Sequence, residues 1–343
     1  MKGWFIMTSI PPINHTVAAA WAEARIRSGR PVRQLQGGCV YFYTAKMIDN
    51  QFLLRPDEAG ALRELIGSSV ARAQQAAPVH VHWFEPNTNH LHAGISALSN
   101  APADLTNLTL FKMTCHALIA KGINRMLARR GGMFSGQVHM APCLDDESVW
   151  DKFLYSITNP VKDDLVKRMS HWGGFSTYRQ HIGGKTETYR YYDVEQWMRD
   201  KKTRPLSDYI RFIDLKISPL PHMKQLAPNT RQRIIKKAVA EQEAQYAAIR
   251  LEKVARGERS SAGVVGMKKI YKCSPRDRAA NKESGTRPIC YARNPALATR
   301  YTQFLRNYLI TYRVASILYL AGYWDEANFP RGSLRPPIIQ VVG

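Results

Sequence analysis

Two histidines stand two residues apart in the run Pro86-Asn87-Thr88-Asn89-His90-Leu91-His92-Ala93-Gly94-Ile95. Side chains alternate faces along a strand, so His90 and His92 point the same way. Two imidazoles on one face can hold a divalent ion when a third ligand arrives from elsewhere. A His-x-His pair is also ordinary as surface decoration or as hydrogen-bonded structure, so the pair alone names no reaction.

The second stretch with chemical content is Phe153-Leu154-Tyr155-Ser156-Ile157-Thr158-Asn159-Pro160-Val161-Lys162. On a helix Tyr155 and Asn159 are one turn apart and share a face. A phenol can attack phosphorus, and an amide oxygen one turn away can complete a metal site. Most tyrosines at such a spacing are half-buried packing residues. His80 and His82 form another His-x-His, on the strand before, and compete with His90 and His92 as ligands.

The elements that must position these residues follow from periodicity. Cys39 to Thr44, Val79 to Phe84, His90 to Leu98 and Phe134 to Pro142 read as strands, rich in β-branched and aromatic residues. A helix is expected from Pro56-Asp57-Glu58 to about Gln75, and a second over about Leu105 to Arg129. A third follows Asp145-Asp146-Glu147-Ser148 and carries Trp150, Phe153, Leu154 and Ile157. The order β-α-β-β-α-β implies an α+β fold of ferredoxin-like type, an antiparallel sheet with helices on one face. Residues 1–37 read as an irregular leader and 38–180 as the domain bearing the site. Residues 181–343 read as a basic, mainly helical C-terminal region, with long helices from about Thr230 to Arg256 and Ala296 to Leu320.

Charge narrows the partner. The 343 residues hold 49 Lys and Arg against 27 Asp and Glu, a formal +22. Residues 201–343 contribute 27 basic against 10 acidic side chains, a net +17. Such an excess favours a polyanion such as DNA over an acidic small molecule. Arg125, Arg129 and Arg130, at the end of the second helix, are candidate DNA contacts, although the helix dipole alone also favours bases there. The five cysteines are scattered without a Cys-x-x-Cys pair, and no apolar run is long enough to span a membrane, so a reduced, cytoplasmic protein is expected. Monomer and homodimer are both left open.

Tyr155-Ser156-Ile157-Thr158-Asn159-Pro160-Val161, continued by Asp164-Leu165-Val166, His171-Trp172 and Phe175-Ser176-Thr177-Tyr178, resembles a run in the REP-associated tyrosine transposases. That run reads Tyr-Ile-x-x-Asn-Pro-Val-x-x-x-Leu-Val … Trp-Ser-Ser-Tyr. Pro86-Asn87 … His90-Leu91-His92 is similar to their Pro-Asn-His-Val-His stretch, the HUH motif in which U is hydrophobic. Gly131 to Gly136 resembles the middle of that family. The resemblance covers roughly residues 38–180 and implies an HUH single-tyrosine nuclease domain that cuts single-stranded DNA at hairpin or palindromic sites.

In such enzymes a divalent ion, Mg2+ or Mn2+, is held by two histidines and one polar side chain, and a tyrosine forms a 5′-phosphotyrosine link. Carried over, His90, His92 and Asn159 are the ligands and Tyr155 the nucleophile, with Gln137 and Lys162 as further DNA contacts. Two departures stand out: Thr88 and Asn89 are inserted before His90, and Gln137 replaces the usual Arg. The alternative implied is a domesticated hairpin-binding protein without cleavage.

Overall fold

The computed structural model describes residues 35–136, 138–257, 267–279, 287–330 and 333. Most of the leader, Gln137, the stretch after Gly257 and the Pro-rich tail lie outside them. The chain divides into two compact units, one of residues 37–293 and one of residues 1–36 with 294–343. The first therefore takes in residues 181–293, which the sequence reading had grouped with the C-terminal region.

Four strands form the main sheet of the larger unit: β1 (Val40–Lys46), β2 (His80–Pro86), β3 (His90–Ser96) and β4 (His139–Cys143). Their order is β2-β3-β1-β4 with every neighbour antiparallel. The protein is a mixed α and β fold built on an antiparallel sheet. Helices α1 (Ala61–Ala76) and α2 (Pro102–Met126) join β1 to β2 and β3 to β4. On α2, His116 packs against Tyr43, ring centroids 5.9 Å apart, and Tyr43 meets Phe84 at 6.4 Å on the same face.

Helix α3 (Asp146–Ile157) covers the opposite face. There Phe42, Trp83 and Phe153 form one apolar cluster, with Trp83 meeting Phe42 at 6.4 Å and Phe153 at 5.8 Å. Trp83 and Phe153 are fully buried, and each contributes about 1.5–3 kcal/mol by leaving water.

Local chemistry explains where the elements begin and end. Helix α1 starts at Ala61 rather than at Pro56, because Gly60 adopts φ 71° and Asp57 caps from outside the helix. The Asp57 carboxylate accepts from the amides of Ala61 at 2.9 Å and Leu62 at 2.7 Å. Helix α3 has the expected cap, with the Ser148 amide donating to Asp145 Oδ1 at 2.8 Å. Strand β4 is shorter than expected: Phe134 makes only an isolated bridge to Met47.

Downstream, a four-residue helix α4 (Asn159–Lys162) and a short helix α5 (Tyr178–Gly183) lead into a β-ribbon. The ribbon, β5 (Glu187–Tyr192) with β6 (Ile210–Leu215), encloses helix α6 (Val194–Arg199). Its strands were not foreseen in a region read as mainly helical, because arginines and acids break their alternation. A Cβ on Gly67 of α1 would stand 2.3 Å from the Tyr189 ring, so the close approach of α1 to the ribbon at that point needs glycine. Helix α7 (Pro228–Ala255) and the short α8 (Met267–Lys272) contribute Ile235, Val239 and Ile270 to the apolar cluster under α3.

In the second unit α9 (Pro295–Leu320) starts on an Asn294 cap, and Phe329 folds back on Tyr312 and Tyr319 at 5.6 and 5.7 Å. No described helix is long and apolar enough to cross a membrane.

Gly94 is the point where β3 tolerates the Trp83 ring, since a Cβ there would stand 2.3 Å from it. Gly94→Ala is expected to destabilise the protein by about 1–3 kcal/mol through overpacking. Gly132→Ala, where a Cβ meets nothing within 4 Å, is the control. Equal urea midpoints for the two variants would remove this account of the glycine.

Candidate functional site

His90 and His92 stand at the start of β3, and its register with β1 places Lys46 opposite His90 and Thr44 opposite His92. The two imidazoles lie 4.8 Å apart, and His92 lies 5.2 Å from the ring of Tyr155 on α3. Asn159, at the start of α4, brings Nδ2 to 2.6 Å from His90 Nε2. The four residues that sequence spacing singled out therefore meet at one place.

They meet by a route the spacing did not show. Tyr155 and Asn159 belong to different helices, because Pro160 has no amide hydrogen to continue the ladder and α3 ends at Ile157. Thr158 bridges the break, its amide and its hydroxyl both donating to the Leu154 carbonyl, at 2.9 and 2.7 Å. Two further bonds hold α4. Asn87 Nδ2 donates to Asp163 at 2.8 Å, and Arg250 of α7 pairs with Asp164 at 2.6 Å, where Asp164 adopts φ 57°.

The insertion Thr88-Asn89 completes a tight turn in which the Asn87 amide donates to the His90 carbonyl at 2.8 Å. The Thr88 and Asn89 carbonyls accept from Leu54 and Met47. Asn89 Oδ1 accepts from His90 Nδ1 at 2.8 Å, which fixes the hydrogen on Nδ1 and leaves the Nε2 lone pair toward Asn159. Thr44 Oγ1 bonds Nδ1 of His92 at 2.9 Å. Nε2 of His92 is buried and has no hydrogen-bond partner.

Electrostatics agree with that assignment. Burial, helped by Lys46 and Lys162, lowers the His90 pKa to about 4. Burial, with His90, Lys162, Lys152 and Lys46, pushes His92 well below the usual imidazole range. Both rings are therefore neutral at pH 7, and the Asn89 bond leaves the lone pair of His90 on Nε2. Burial, and secondarily Asp163, raises the Tyr155 phenol. Lys162 Nζ lies 4.3 Å from the Tyr155 ring centroid and Lys152 Nζ lies 5.8 Å from it.

The residues fit a divalent ion. An unpartnered buried nitrogen beside a second imidazole and an amide is a donor set of the kind that takes one. Among the described residues no three His, Cys, Asp or Glu side chains come together; the polar group beside the two imidazoles is the Asn159 amide.

The rival pair is otherwise engaged. His82 bonds the Pro219 carbonyl through Nδ1 and Ser96 Oγ through Nε2, both at 2.9 Å, and His80 Nδ1 bonds Ser218 Oγ at 3.0 Å. Of the candidate DNA contacts, Arg129 is folded onto its own loop, donating to Asn124 Oδ1 at 2.8 Å and the Gly132 carbonyl at 2.7 Å. Arg125 and Arg130 are exposed, and Gln137 lies outside the described residues. Sequence reasoning missed Thr44, Asn89, Lys152 and Arg250. Only Lys152 left a signal, lying three residues before Tyr155 on the same helix.

No protein-family model matches this chain, and no curated protein matches it. Among solved structures it is similar to one described as a REP-associated tyrosine transposase bound to a REP hairpin. The identity is 14% and the TM-score 0.36, over 45% of this chain and 86% of that one.

The buried histidines set a pH response. Burial lowers His82 to about 4, while the unfolded chain takes up that proton near 6.5. The unfolded state then binds more protons between about pH 6.5 and 4, so stability falls as pH falls through that window. His82→Gln should flatten the urea midpoint between pH 7 and 5 relative to wild type. Parallel curves would show that His82 is not held neutral.

Proposed function

We propose that residues 37–293 form a metal-dependent single-stranded DNA endonuclease and strand transferase of the HUH single-tyrosine type, acting at hairpin or palindromic sites. The strand order β2-β3-β1-β4 with two crossover helices is read as ferredoxin-like, with Tyr155 delivered from the opposite face. The observation that carries the reading is the unpartnered Nε2 of His92, set beside His90, Asn159 and the Tyr155 ring.

His90 and His92 through Nε2, and Asn159 through its amide oxygen, would hold Mg2+ or Mn2+. The side-chain amide turns over about its last bond to present that oxygen. When bound, such an ion supplies positive charge to a scissile phosphate. Asn89 and Thr44 orient the two rings through Nδ1, the arrangement that fixes a ligating imidazole.

Tyr155 attacks phosphorus. A bond forms from its phenolic oxygen to phosphorus and the P–O3′ bond breaks, leaving a 5′-phosphotyrosine and a 3′-hydroxyl. The phenol proton leaves to water and the departing 3′-oxygen takes one up. Attack by a 3′-hydroxyl on the linkage reverses the step or joins a different strand. The phosphodiester energy is kept in the covalent link, so the reaction needs no nucleotide cofactor. The net +22 of the chain suits the polyanionic substrate.

A radiolabelled pool of hairpin oligonucleotides with randomised single-stranded tails tests the reading. Wild type in Mn2+ or Mg2+ is expected to form a protein–DNA adduct that Tyr155→Phe, His92→Ala and EDTA each abolish. Hairpin binding that is indifferent to EDTA and to His90→Ala, with no adduct, would instead identify a binding protein without cleavage. Thr44→Val, which removes the hydroxyl that bonds His92 while keeping its shape, should weaken Mn2+ binding by about tenfold to a hundredfold in calorimetric titration. Unchanged affinity would separate Thr44 from the site.

A further inference from the structure

Lys152 has an unusual setting for an ammonium group. It is half-buried on α3, and burial lowers its pKa. Its Nζ lies 4.1 Å from the ring centroid of Tyr291, 5.7 Å from Phe42 and 5.8 Å from Tyr155. Among the described residues it has neither a hydrogen-bond acceptor nor an ion-pair partner. A partly desolvated cation without a direct ion pair is unfavourable, and three ring faces offset that only in part.

The segment that ends the larger unit creates this setting. Tyr291 runs beside β4, bridging Cys143; its amide donates to the Pro142 carbonyl at 2.8 Å and its carbonyl accepts from Leu144 at 2.8 Å. Its ring then stands edge-on to Phe42 at 5.4 Å and over Lys152. Two residues on, Arg293 takes both oxygens of Asp151, the acid next to Lys152, at 2.5 and 3.0 Å. The same segment thus supplies a ring to the ammonium and engages the carboxylate of the residue next to it in sequence. Lys152 is left charged and oriented, with its ammonium over the Tyr155 ring and in no direct ion pair among the described residues.

We propose that Lys152, held by Tyr291, is a phosphate-binding residue of this site, its ammonium taking a non-bridging oxygen of the phosphodiester that Tyr155 attacks. The inference rests on the strand-cleavage reading for the identity of the anion. Placement supports it: the ammonium groups of Lys152 and Lys162 lie 5.8 and 4.3 Å from the Tyr155 ring centroid, where negative charge would develop.

The test uses the full-length chain and two readouts. Binding of a hairpin oligonucleotide with an oligothymidine tail is followed against salt for Tyr155→Phe alone and combined with Lys152→Met, Lys152→Gln or Lys152→Arg. The neutral side chains are expected to lower the slope of log affinity against log salt by about 0.7–0.9, the value of one phosphate contact. Arg should keep the parent slope. Coincident slopes for the parent and the neutral variants overturn the proposal, and Gln decides if Met disturbs the packing.

In the second readout, adduct formation on the randomised-tail pool in Mn2+ should slow by about a hundredfold in Lys152→Met, as for loss of one transition-state donor. It should recover in part in Lys152→Arg. An adduct formed by Lys152→Met at the wild-type rate also overturns the proposal. Absence of any adduct with wild type overturns the strand-cleavage reading instead, and the salt slopes, which need no cleavage, then decide Lys152 alone.

Discussion

Everything at this site depends on the register between β1 and β3. Thr44 sits opposite His92 and Lys46 opposite His90, and side chains alternate strictly along a strand. A slip of one residue would put Leu91 beneath α3 and bury both imidazoles against the helices of the other face. The register is fixed by what each face must hide. Leu91, Ala93 and Ile95 go to the side that packs with Tyr43 and Phe84, while Gly94 makes room for Trp83. The histidines keep their orientation because Leu91 between them has nowhere else to go.

The other half of the site is held by a break. Pro160 stops α3, and the restart at Asn159 would be loose if nothing tied it down. Asn87 at the β2–β3 turn and Arg250 on α7 grip the adjacent aspartates from two directions. A strand end, a helix junction and a distant helix are thereby locked together around a few polar bonds. Removing one partner of the partly buried Arg250–Asp164 pair would weaken that grip on α4.

What the sequence made legible was the periodic part. The four strands, the helices between them and the common face of His90 and His92 follow from alternation and from caps such as Asp145. The convergence of Tyr155 and Asn159 was also visible, though the single helix assumed for them is two. The β5–β6 ribbon was hidden because its outward residues are as charged as a loop. Thr44 and Asn89 were illegible for a different reason: each acts through a hydrogen bond set by tertiary register or turn geometry, and neither leaves a period. The extra pair Thr88-Asn89, read as a departure, supplies the acceptor that orients His90.

Tyr291 beside β4, and Arg250 on α7, have a consequence for how the protein comes into being. His90, His92, Tyr155 and Asn159 are all made within the first half of the chain, yet the groups that steady α4 and cage Lys152 emerge roughly ninety to one hundred and thirty residues later. During synthesis the sheet and α3 can assemble first, with the wall around the tyrosine still open. A nascent chain carries His90, His92, Tyr155 and Asn159 before it carries the groups that fix their surroundings, so the arrangement is complete only with the last part of this unit to be translated.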